Sequence, residues 1–288
     1  MELIQVGEKT CYIKNPTNIG VYKINEKDVF LIDSGNDKDA GKKILKITES
    51  QGWSVKGIIS THSNADHIGG NKLIQDRTGC PVYAYGMEKC FTEYPIMEPS
   101  FLFSGLPIKD LKNKFLLAKE SVVTDINNNL PEGLEYFSLK GHFFDMIGIK
   151  TDDDIYFLAD SLVSEETIKK YHLFFIYDVR EYLNTLDYLS ALTGKLYIAS
   201  HCEATDNILP IINANRDKIN EICNTIYSLC EEKIIFEELL QKVFDTYGLT
   251  MNINQYVLIG STIKSYLKEE GRICFEFKNN KMYWKRKE

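Results

Sequence analysis

The sequence predicts an α+β protein with a large layered N-terminal domain and a small helical C-terminal domain. Three observations support this. Short apolar runs alternate with helical patterns over the first two hundred residues, several of these runs end in a histidine or an aspartate, and the last eighty residues are mostly helical in pattern. A chain of 288 residues is long enough for one large domain and a small one. We expect the domains to span residues 1–210 and 211–288.

The composition is typical of a globular protein that stays in the cytoplasm. Apolar residues make up 44% and charged residues 26%, and no apolar run approaches the roughly 18 to 20 residues that a membrane span needs. The N-terminus lacks the basic flank and apolar stretch of a secretory signal. Seven scattered cysteines form no close pair, and a net charge of −7 argues against a surface that binds nucleic acid throughout.

The first ninety residues alternate strands and helices. The runs "CYIKN", "IGVYKI" and "DVFLIDSG" are typical of strands, and "DKDAGKKILKITESQG" has the period of an amphipathic helix. Next come the buried strand "VKGIIS", the loop "THSNADHIGG" and a helix that ends near Gly79, and "PVYAYG" is a further short strand. We therefore expect strand, loop and helix to repeat.

Residues 92–135 are predicted to be an irregular insertion, because prolines interrupt a segment rich in aromatic residues. Tyr94, Phe101, Phe103 and Phe115 suggest a partly apolar cover over a site. Regular strands resume with "LEYFSLKGH", "MIGIKT" and "DIYFLADS", and a helix around residues 180–192 precedes the strand in "GKLYIASHCEA".

The C-terminal segment predicts three helices, over residues 211–230, 236–247 and 253–267. The final stretch "GRICFEFKNNKMYWKRKE" alternates apolar and polar residues around Asn279-Asn280, which is a hairpin signal. Three helices and a hairpin suggest a winged-helix-like unit, and the basic end of the hairpin leaves nucleic-acid binding open.

Side chains that bind metals are concentrated where predicted strands end. His62, Asn64, Asp66 and His67 lie between a strand and a helix, so they can converge at one edge of a sheet. Three more such residues, His142, Asp160 and His201, follow later strands. Because any one of them could be an ordinary buried histidine or a capping aspartate but the set together is hard to explain in that way, we predict a divalent metal site.

These motifs resemble those of the metallo-β-lactamase superfamily, whose signature is H-x-H-x-D-H followed by a distant His, Asp and His. The stretches "HSNADH", "GHFFD", "LADS" and "SHCEA" follow in that order, and "FLIDSG" resembles the family's early acid at the end of a strand. The resemblance covers roughly residues 5–205. It implies an αββα sandwich with metals at the sheet edges, in a branch similar to glyoxalase II.

The resemblance also implies a role for each residue. His62 and His142 would bind a first metal, and a second metal would be bound by Asp66, His67 and His201. Asp160 would bridge the two ions, and Asp33 would support the ligands by hydrogen bonds.

Asn64 departs from the family pattern, because a histidine normally stands there. An amide oxygen binds zinc more weakly than imidazole does. Three outcomes are open: a weakened first metal with Asn64 as ligand, a single metal at the second site, or a preference for iron or manganese over zinc. We expect two sites of unequal affinity.

Three further residues are candidates for substrate contact. Phe143 and Phe144 follow His142 and either fill the core or narrow the substrate pocket. His172 matches no ligand position of the family, and it either meets the substrate or is an ordinary, partly buried histidine.

The expected function is hydrolysis of a small-molecule ester, thioester or lactone by a metal-activated water. Asp66 would orient that water and return a proton. One alternative is a nucleic-acid phosphodiesterase or RNA-associated hydrolase, which the C-terminal unit suggests. Another is a metal-binding protein without activity, because Asn64 replaces a ligand. A homodimer through the C-terminal domain is also compatible with the sequence.

Overall fold

The computed structural model of the protein describes residues 1–269 and 271–287. The strands are β1 Glu2–Gln5, β2 Thr10–Lys14, β3 Ile19–Lys23, β4 Asp28–Ile32, β5 Ser54–Ile59, β6 Val82–Ala84, β7 Val123–Asp125, β8 Leu134–Ser138, β9 Ile147–Thr151, β10 Ile155–Ala159, β11 Leu196–Ala199, β12 Ile273–Lys278 and β13 Lys281–Arg286. The helices are α1 Lys38–Ser50, α2 Ala65–Ile68, α3 Asn71–Thr78, α4 Gly86–Glu93, α5 Met97–Phe103, α6 Glu165–Tyr171, α7 Val179–Ser190, α8 Leu209–Leu229, α9 Phe236–Thr246 and α10 Ile253–Glu269, with a 3₁₀ turn at Lys109–Leu111.

Two sheets pack face to face between two layers of helices. One sheet has the order β1-β2-β3-β4-β5-β6-β7 and the other β11-β10-β9-β8. Alternate residues of β4 point to opposite faces, as a strand requires. Val29 and Leu31 pack with Ile44 of α1, whereas Phe30 and Ile32 pack with residues of the second sheet. The predicted α+β class and αββα sandwich are therefore confirmed.

Parallel pairing brings the residues after several strands to the same edge of the sandwich. In the first sheet the pairs β4–β5, β5–β6 and β6–β7 are parallel, and in the second the pair β10–β11 is parallel. Asp33 and Ala159 have left-handed backbone at φ 65° and 48°, at the ends of β4 and β10. Such conformations are uncommon for residues other than glycine and are typical of functional sites.

Gly69 and Gly70 let the loop after β5 lie against the chain after β4. A Cβ at Gly70 would come within 2.3 Å of the Ser34 carbonyl oxygen, and one at Gly69 within 2.3 Å of the Asn36 carbonyl carbon. The close approach is also fixed by hydrogen bonds, since Ser34 N donates to His67 O at 2.8 Å. The paired glycines thus fix the position of the loop that carries His62 and His67 relative to Asp33.

The insertion of residues 92–135 is less irregular than the sequence suggests. It contains α5, the 3₁₀ turn and β7, and its Leu102, Leu111 and Leu116 form a buried cluster with Val257 of α10. Its contacts with a C-terminal helix hold the insertion in place beside the sandwich.

The C-terminal residues form the three predicted helices and the predicted hairpin. Asn279 and Asn280 turn the hairpin with φ 51° and 59°, as a two-residue turn of this type requires. One hydrophobic cluster includes Leu158 and Leu186 of the sandwich as well as Leu240 and Ile263 of the C-terminal helices. The division at residue 210 and the winged-helix assignment stay predictions.

Two basic side chains of the hairpin have partners within the protein, one in the hairpin itself and one on α8. Lys285 lies 2.9 Å from Glu276, and Arg286 Nε donates to the Tyr227 carbonyl oxygen at 2.9 Å. These contacts weaken the case for a nucleic-acid surface there. Within the residues that the structure describes, no helix is long and apolar enough to cross a membrane.

Candidate metal centre

The structure brings the predicted ligands together at the edge where the parallel strands end. Each of them follows a strand of the sandwich or lies on the short helix α2, and all face one region. They are His62, Asn64, Asp66, His67, His142, Asp160 and His201. Their role as metal ligands stays a prediction, and its fit to the structure rests on the following geometry.

Two of the histidines are oriented by a network around Asp33. The Asp33 carboxylate is 2% exposed and accepts from Thr61 N, Thr61 Oγ1 and His67 Nδ1, each at 2.8 Å. Because the Thr61 hydroxyl donates to Asp33, its oxygen can accept from His62 Nδ1, 3.2 Å away. Both rings therefore carry their proton on Nδ1 and turn Nε2 towards the site.

The other two histidines have the same arrangement with backbone acceptors. His142 Nδ1 donates to the Phe175 carbonyl oxygen at 3.1 Å, and His201 Nδ1 donates to the Pro16 carbonyl oxygen at 2.7 Å. A carbonyl can only accept, so each neutral ring keeps its Nε2 lone pair for another partner. Tying one ring nitrogen in this way is how proteins orient histidine as a metal ligand.

Three inward-facing atoms are buried and form no hydrogen bond of regular geometry within the described residues. They are Nε2 of His62, Nε2 of His67 and Oδ1 of Asp160, of which the last two lie 3.1 Å apart. The ligand atoms form two groups, and within each group they all lie within 4.8 Å of one another. One group is His62, His67 and Asp160, and the other is Asp66, His67 and His201. Buried polar atoms normally find a partner, and nitrogen and carboxylate oxygen are suitable ligands for divalent metals such as zinc. The residues present therefore fit a metal centre.

Asp160 lies between the two groups. Its Oδ1 is 3.1 Å from His67 Nε2, and its Oδ2 is 3.2 Å from His201 Nε2 and 3.6 Å from His142 Nε2. These contacts on both oxygens agree with a bridging role. The second group contains the three residues that the resemblance assigns to a second metal, whereas the first joins His62 to His67 and Asp160 rather than to His142.

The charges of the centre depend on its two aspartates. Asp160 raises the pKa of His201 well above its ordinary value against the effect of burial. Burial opposes a charged His67, but Asp160, Asp66 and Asp33 raise its pKa overall. His62 behaves oppositely, because burial and the neighbouring His67 lower its pKa. The aspartates therefore favour the charged forms of His67 and His201, whereas the surroundings of His62 favour its neutral form.

Asn64 occupies the N-cap of α2 but does not cap it. Its side chain makes no hydrogen bond to the first turn, although asparagine is a favoured capping residue. Instead, its Oδ1 lies 3.1 Å from His142 Nε2 and its Nδ2 donates to Glu98 Oε1 at 2.8 Å. The side chain is 8% exposed.

Two buried glutamates beside the centre were missed by sequence reasoning. Glu88 on α4 accepts from Ser63 N at 2.9 Å and from Ser63 Oγ at 2.6 Å, and burial raises its pKa to about 7. Glu98 on α5 contacts Asn64, and burial raises its pKa well above the ordinary value. For Glu98 the available signal was its place inside the apolar stretch "YPIMEPSFLF". A glutamate that is buried in such a stretch almost always has a partner.

The two phenylalanines after His142 have different environments. Phe143 is fully buried and packs against Phe91, which agrees with the core-filling alternative. Phe144 is half-buried and stacks on Tyr177 with ring centroids 4.1 Å apart, and Phe101 of the insertion lies 5.3 Å from it, edge-on. We call Phe101, Phe144 and Tyr177 the aromatic wall.

His172 lies at the C-terminal end of α6. Its ring stacks on Tyr247 with centroids 5.2 Å apart, and its Nδ1 is 3.3 Å from Lys218 Nζ. These contacts agree with the packing alternative, and a contact with substrate stays a prediction.

Comparison with protein families gives one match. Residues 13–201 match the model of the metallo-beta-lactamase superfamily. This range includes every predicted ligand.

Curated relatives match only in part. A hydroxyacylglutathione hydrolase from Rhodopseudomonas palustris (strain BisB18) is 30% identical over 129 residues, which are 44% of this chain and 42% of that protein. Another, from Erythrobacter litoralis (strain HTCC2594), is 43% identical over 56 residues, or 18% of this chain and 22% of that protein. The chain thus spans less than half the length of these curated relatives.

Solved structures share the fold along nearly the whole chain. A beta-lactamase domain protein from Burkholderia ambifaria aligns with a TM-score of 0.76 at 13% identity, covering 99% of this chain and 94% of that one. A metallo-beta-lactamase family protein from Thermus thermophilus aligns with a TM-score of 0.69 at 16% identity, covering 99% and 98%. At such identities the likeness shows the fold alone.

Proposed function

The chain belongs to the metallo-beta-lactamase superfamily, and from that premise we propose that it is a metal-dependent hydrolase of small-molecule thioesters or esters. One observation supports this most strongly. Four histidines have Nδ1 beside an acceptor, and in three of them, His67, His142 and His201, Nε2 lies 3.1 to 3.6 Å from Asp160. We propose zinc as the usual metal, in a protein of the cytoplasm.

Bound divalent ions would supply Lewis-acid polarisation of water and of the scissile carbonyl. The residues that would hold them are those of the two ligand groups together with His142. Asp66 has a further role in this proposal, which is to orient the attacking water and to return its proton to the leaving group. Its carboxylate is fixed for that role, because Thr17 Oγ1 donates to Asp66 Oδ2 at 3.0 Å and His201 Nε2 lies 3.3 Å away.

Substrate would reach the centre from the side of Asp66 and His201. Their side chains are 35% and 37% exposed, whereas His62 and His67 are fully buried. The aromatic wall includes Phe144, two residues after His142, and its rings are half-buried. We propose that an apolar part of the substrate packs on this wall, since stacked rings bind apolar groups through both area and geometry.

The thioester class is supported by the names of the curated relatives, which are hydroxyacylglutathione hydrolases. Since those matches cover less than half of each relative, esters and lactones stay in the proposed range.

The experiment measures release of thiol from acyl-glutathione thioesters, with matched esters and lactones as a panel. Zinc-loaded protein should hydrolyse a thioester, and both a chelator and Asp66→Ala should reduce the rate by at least about 10³-fold. The control is Asp76→Asn, an exposed acid on α3 that pairs with Lys72, and it should keep the full rate. Metal-loaded protein that hydrolyses no member of the panel would overturn the proposal and favour a metal-binding protein without activity.

A further inference from the structure

We propose that Glu98 is a positioning residue that points the carboxamide oxygen of Asn64 into the first metal site. The Asn64 oxygen, with a buried carboxyl group behind it, would then take the place of a histidine ligand. This inference rests on the metal centre of the proposed function, and it adds a residue from the insertion to that centre.

The Asn64 amide has a defined direction. An amide offers oxygen at one end and two N–H donors at the other. Glu98 Oε1 accepts from Nδ2 at 2.8 Å, which leaves Oδ1 to face His142. Asn64 makes no capping bond to α2, so within the described residues these two contacts orient its side chain.

Asn64 Oδ1 and His142 Nε2 are in contact, 3.1 Å apart. His142 Nδ1 donates to the Phe175 carbonyl, so the neutral ring offers only a lone pair at Nε2. Two lone pairs facing each other repel unless a positive charge lies beside both. Two ligands about 2.1 Å from one divalent ion are about 3.0 to 3.4 Å apart at octahedral or tetrahedral angles. The observed spacing therefore suits a shared metal.

The packing of α5 holds Glu98 in place. It is 4% exposed and lies on α5, whose Leu102 packs with Leu111, Leu116 and Val257. Burying a carboxyl group is costly unless it has a hydrogen-bond partner, and Asn64 provides one. The insertion thus packs on α10 at one side and contacts Asn64 at the other.

Asn64 would also change which metal the first site prefers. Replacing a histidine nitrogen by an amide oxygen makes the first site harder, which favours manganese or ferrous iron relative to zinc. In Asn64→His the preference for zinc over manganese at the first site should rise by about tenfold or more.

The test is metal binding to the full chain. Zinc and manganese affinities of each site are measured by competition with a chromophoric chelator, and the spectrum of the cobalt-loaded protein reports the ligand set of the first site. Glu98→Ala should weaken the first site by about 10- to 100-fold and leave the second within about threefold. Glu98→Gln can still accept from Asn64, so it should keep first-site affinity within about threefold of the wild type. Thermal unfolding confirms that each variant is folded.

A double-mutant cycle separates positioning from a general structural role. If Glu98 acts through Asn64, then Glu98→Ala should cost less than about threefold once Asn64→His is present. An equal loss in both backgrounds would overturn the inference, as would unchanged first-site affinity in Glu98→Ala. Wild-type protein that binds no metal would overturn the proposed function as well, whereas two bound ions with no effect of Glu98 would overturn this inference alone.

Discussion

Asp33→Asn replaces one carboxylate oxygen by an NH2 group at the residue that orients His67 and Thr61. The carboxylate accepts three hydrogen bonds of 2.8 Å, two of them on Oδ2 from Thr61 Oγ1 and His67 Nδ1. An asparagine has one acceptor end only. If its amide nitrogen faces Thr61 N, the bond to that backbone group is lost. If it faces His67, that ring must move its proton to Nε2 and lose the lone pair that would bind metal.

The magnitude follows from these alternatives. Losing one hydrogen bond to a charged group costs about 1.5 to 3 kcal/mol of folding stability. Disturbing the partner of a histidine ligand weakens metal binding by about 10- to 100-fold, or about 1.4 to 2.7 kcal/mol. We therefore expect Asp33→Asn to be folded, less stable, and at least about tenfold weaker in zinc affinity by chelator competition.

Asp153→Asn is the matched control. Asp153 also accepts hydrogen bonds, from Lys9 N at 2.9 Å, Thr10 N at 2.8 Å and Thr10 Oγ1 at 2.7 Å. These bonds join the turn between β9 and β10 to the start of β2. It should lose similar stability and keep its zinc affinity. Equal zinc affinities for wild type and Asp33→Asn would refute the role given to Asp33, and an equal loss in both variants would assign the effect to stability alone.

Three further predictions concern the surroundings of the centre. Burial raises the pKa of Glu88 from 4.5 to about 7, so Glu88 holds its proton more tightly in the folded state than in the unfolded state. This stabilises the folded state by up to about 3 kcal/mol. The stabilisation is fully present below pH 4.5 and is lost as the pH rises through about 7. Urea unfolding at pH 5 and pH 8 should show that Glu88→Gln removes this pH dependence, and an unchanged dependence would exclude Glu88 as its source. Phe144→Ala should raise KM for a thioester with an apolar acyl group by about three- to tenfold with little change in kcat, because it removes a ring of the aromatic wall. An unchanged KM in steady-state kinetics would show that the substrate does not bind to the wall. Gly70→Ala would place a Cβ 2.3 Å from the Ser34 carbonyl oxygen and should lower the free energy of unfolding by about 1 to 3 kcal/mol, whereas an unchanged urea midpoint would mean that the loop moves without cost.

The histidines and aspartates could be predicted from the sequence because their position along the chain determines their position in space. A residue directly after a buried strand lies at the edge of the sheet, and parallel neighbours share that edge. His62, Asp160 and His201 each follow a strand of this kind. The α1, α7 and C-terminal helices could be predicted for a related reason, since their apolar residues recur with a helical period.

Glu98 and Asn64 show what the sequence could not supply. The two residues are 34 positions apart, and α5 has seven residues, too few for a clear period. Their contact depends on how the insertion packs against α10, which no local pattern encodes. Likewise, the Phe175 and Pro16 carbonyl groups that orient His142 and His201 belong to loops, and any residue type would offer the same carbonyl oxygen.

Anomalous scattering from crystals of the metal-loaded protein, recorded on both sides of the zinc and manganese absorption edges, tests the metal centre most directly. It should show two peaks, one next to His142 and Asn64 and one next to Asp66 and His201, with Asp160 between them. Zinc should fill the second position more completely than the first. The absence of any anomalous peak among these side chains, in crystals grown with excess metal, would contradict the existence of the centre.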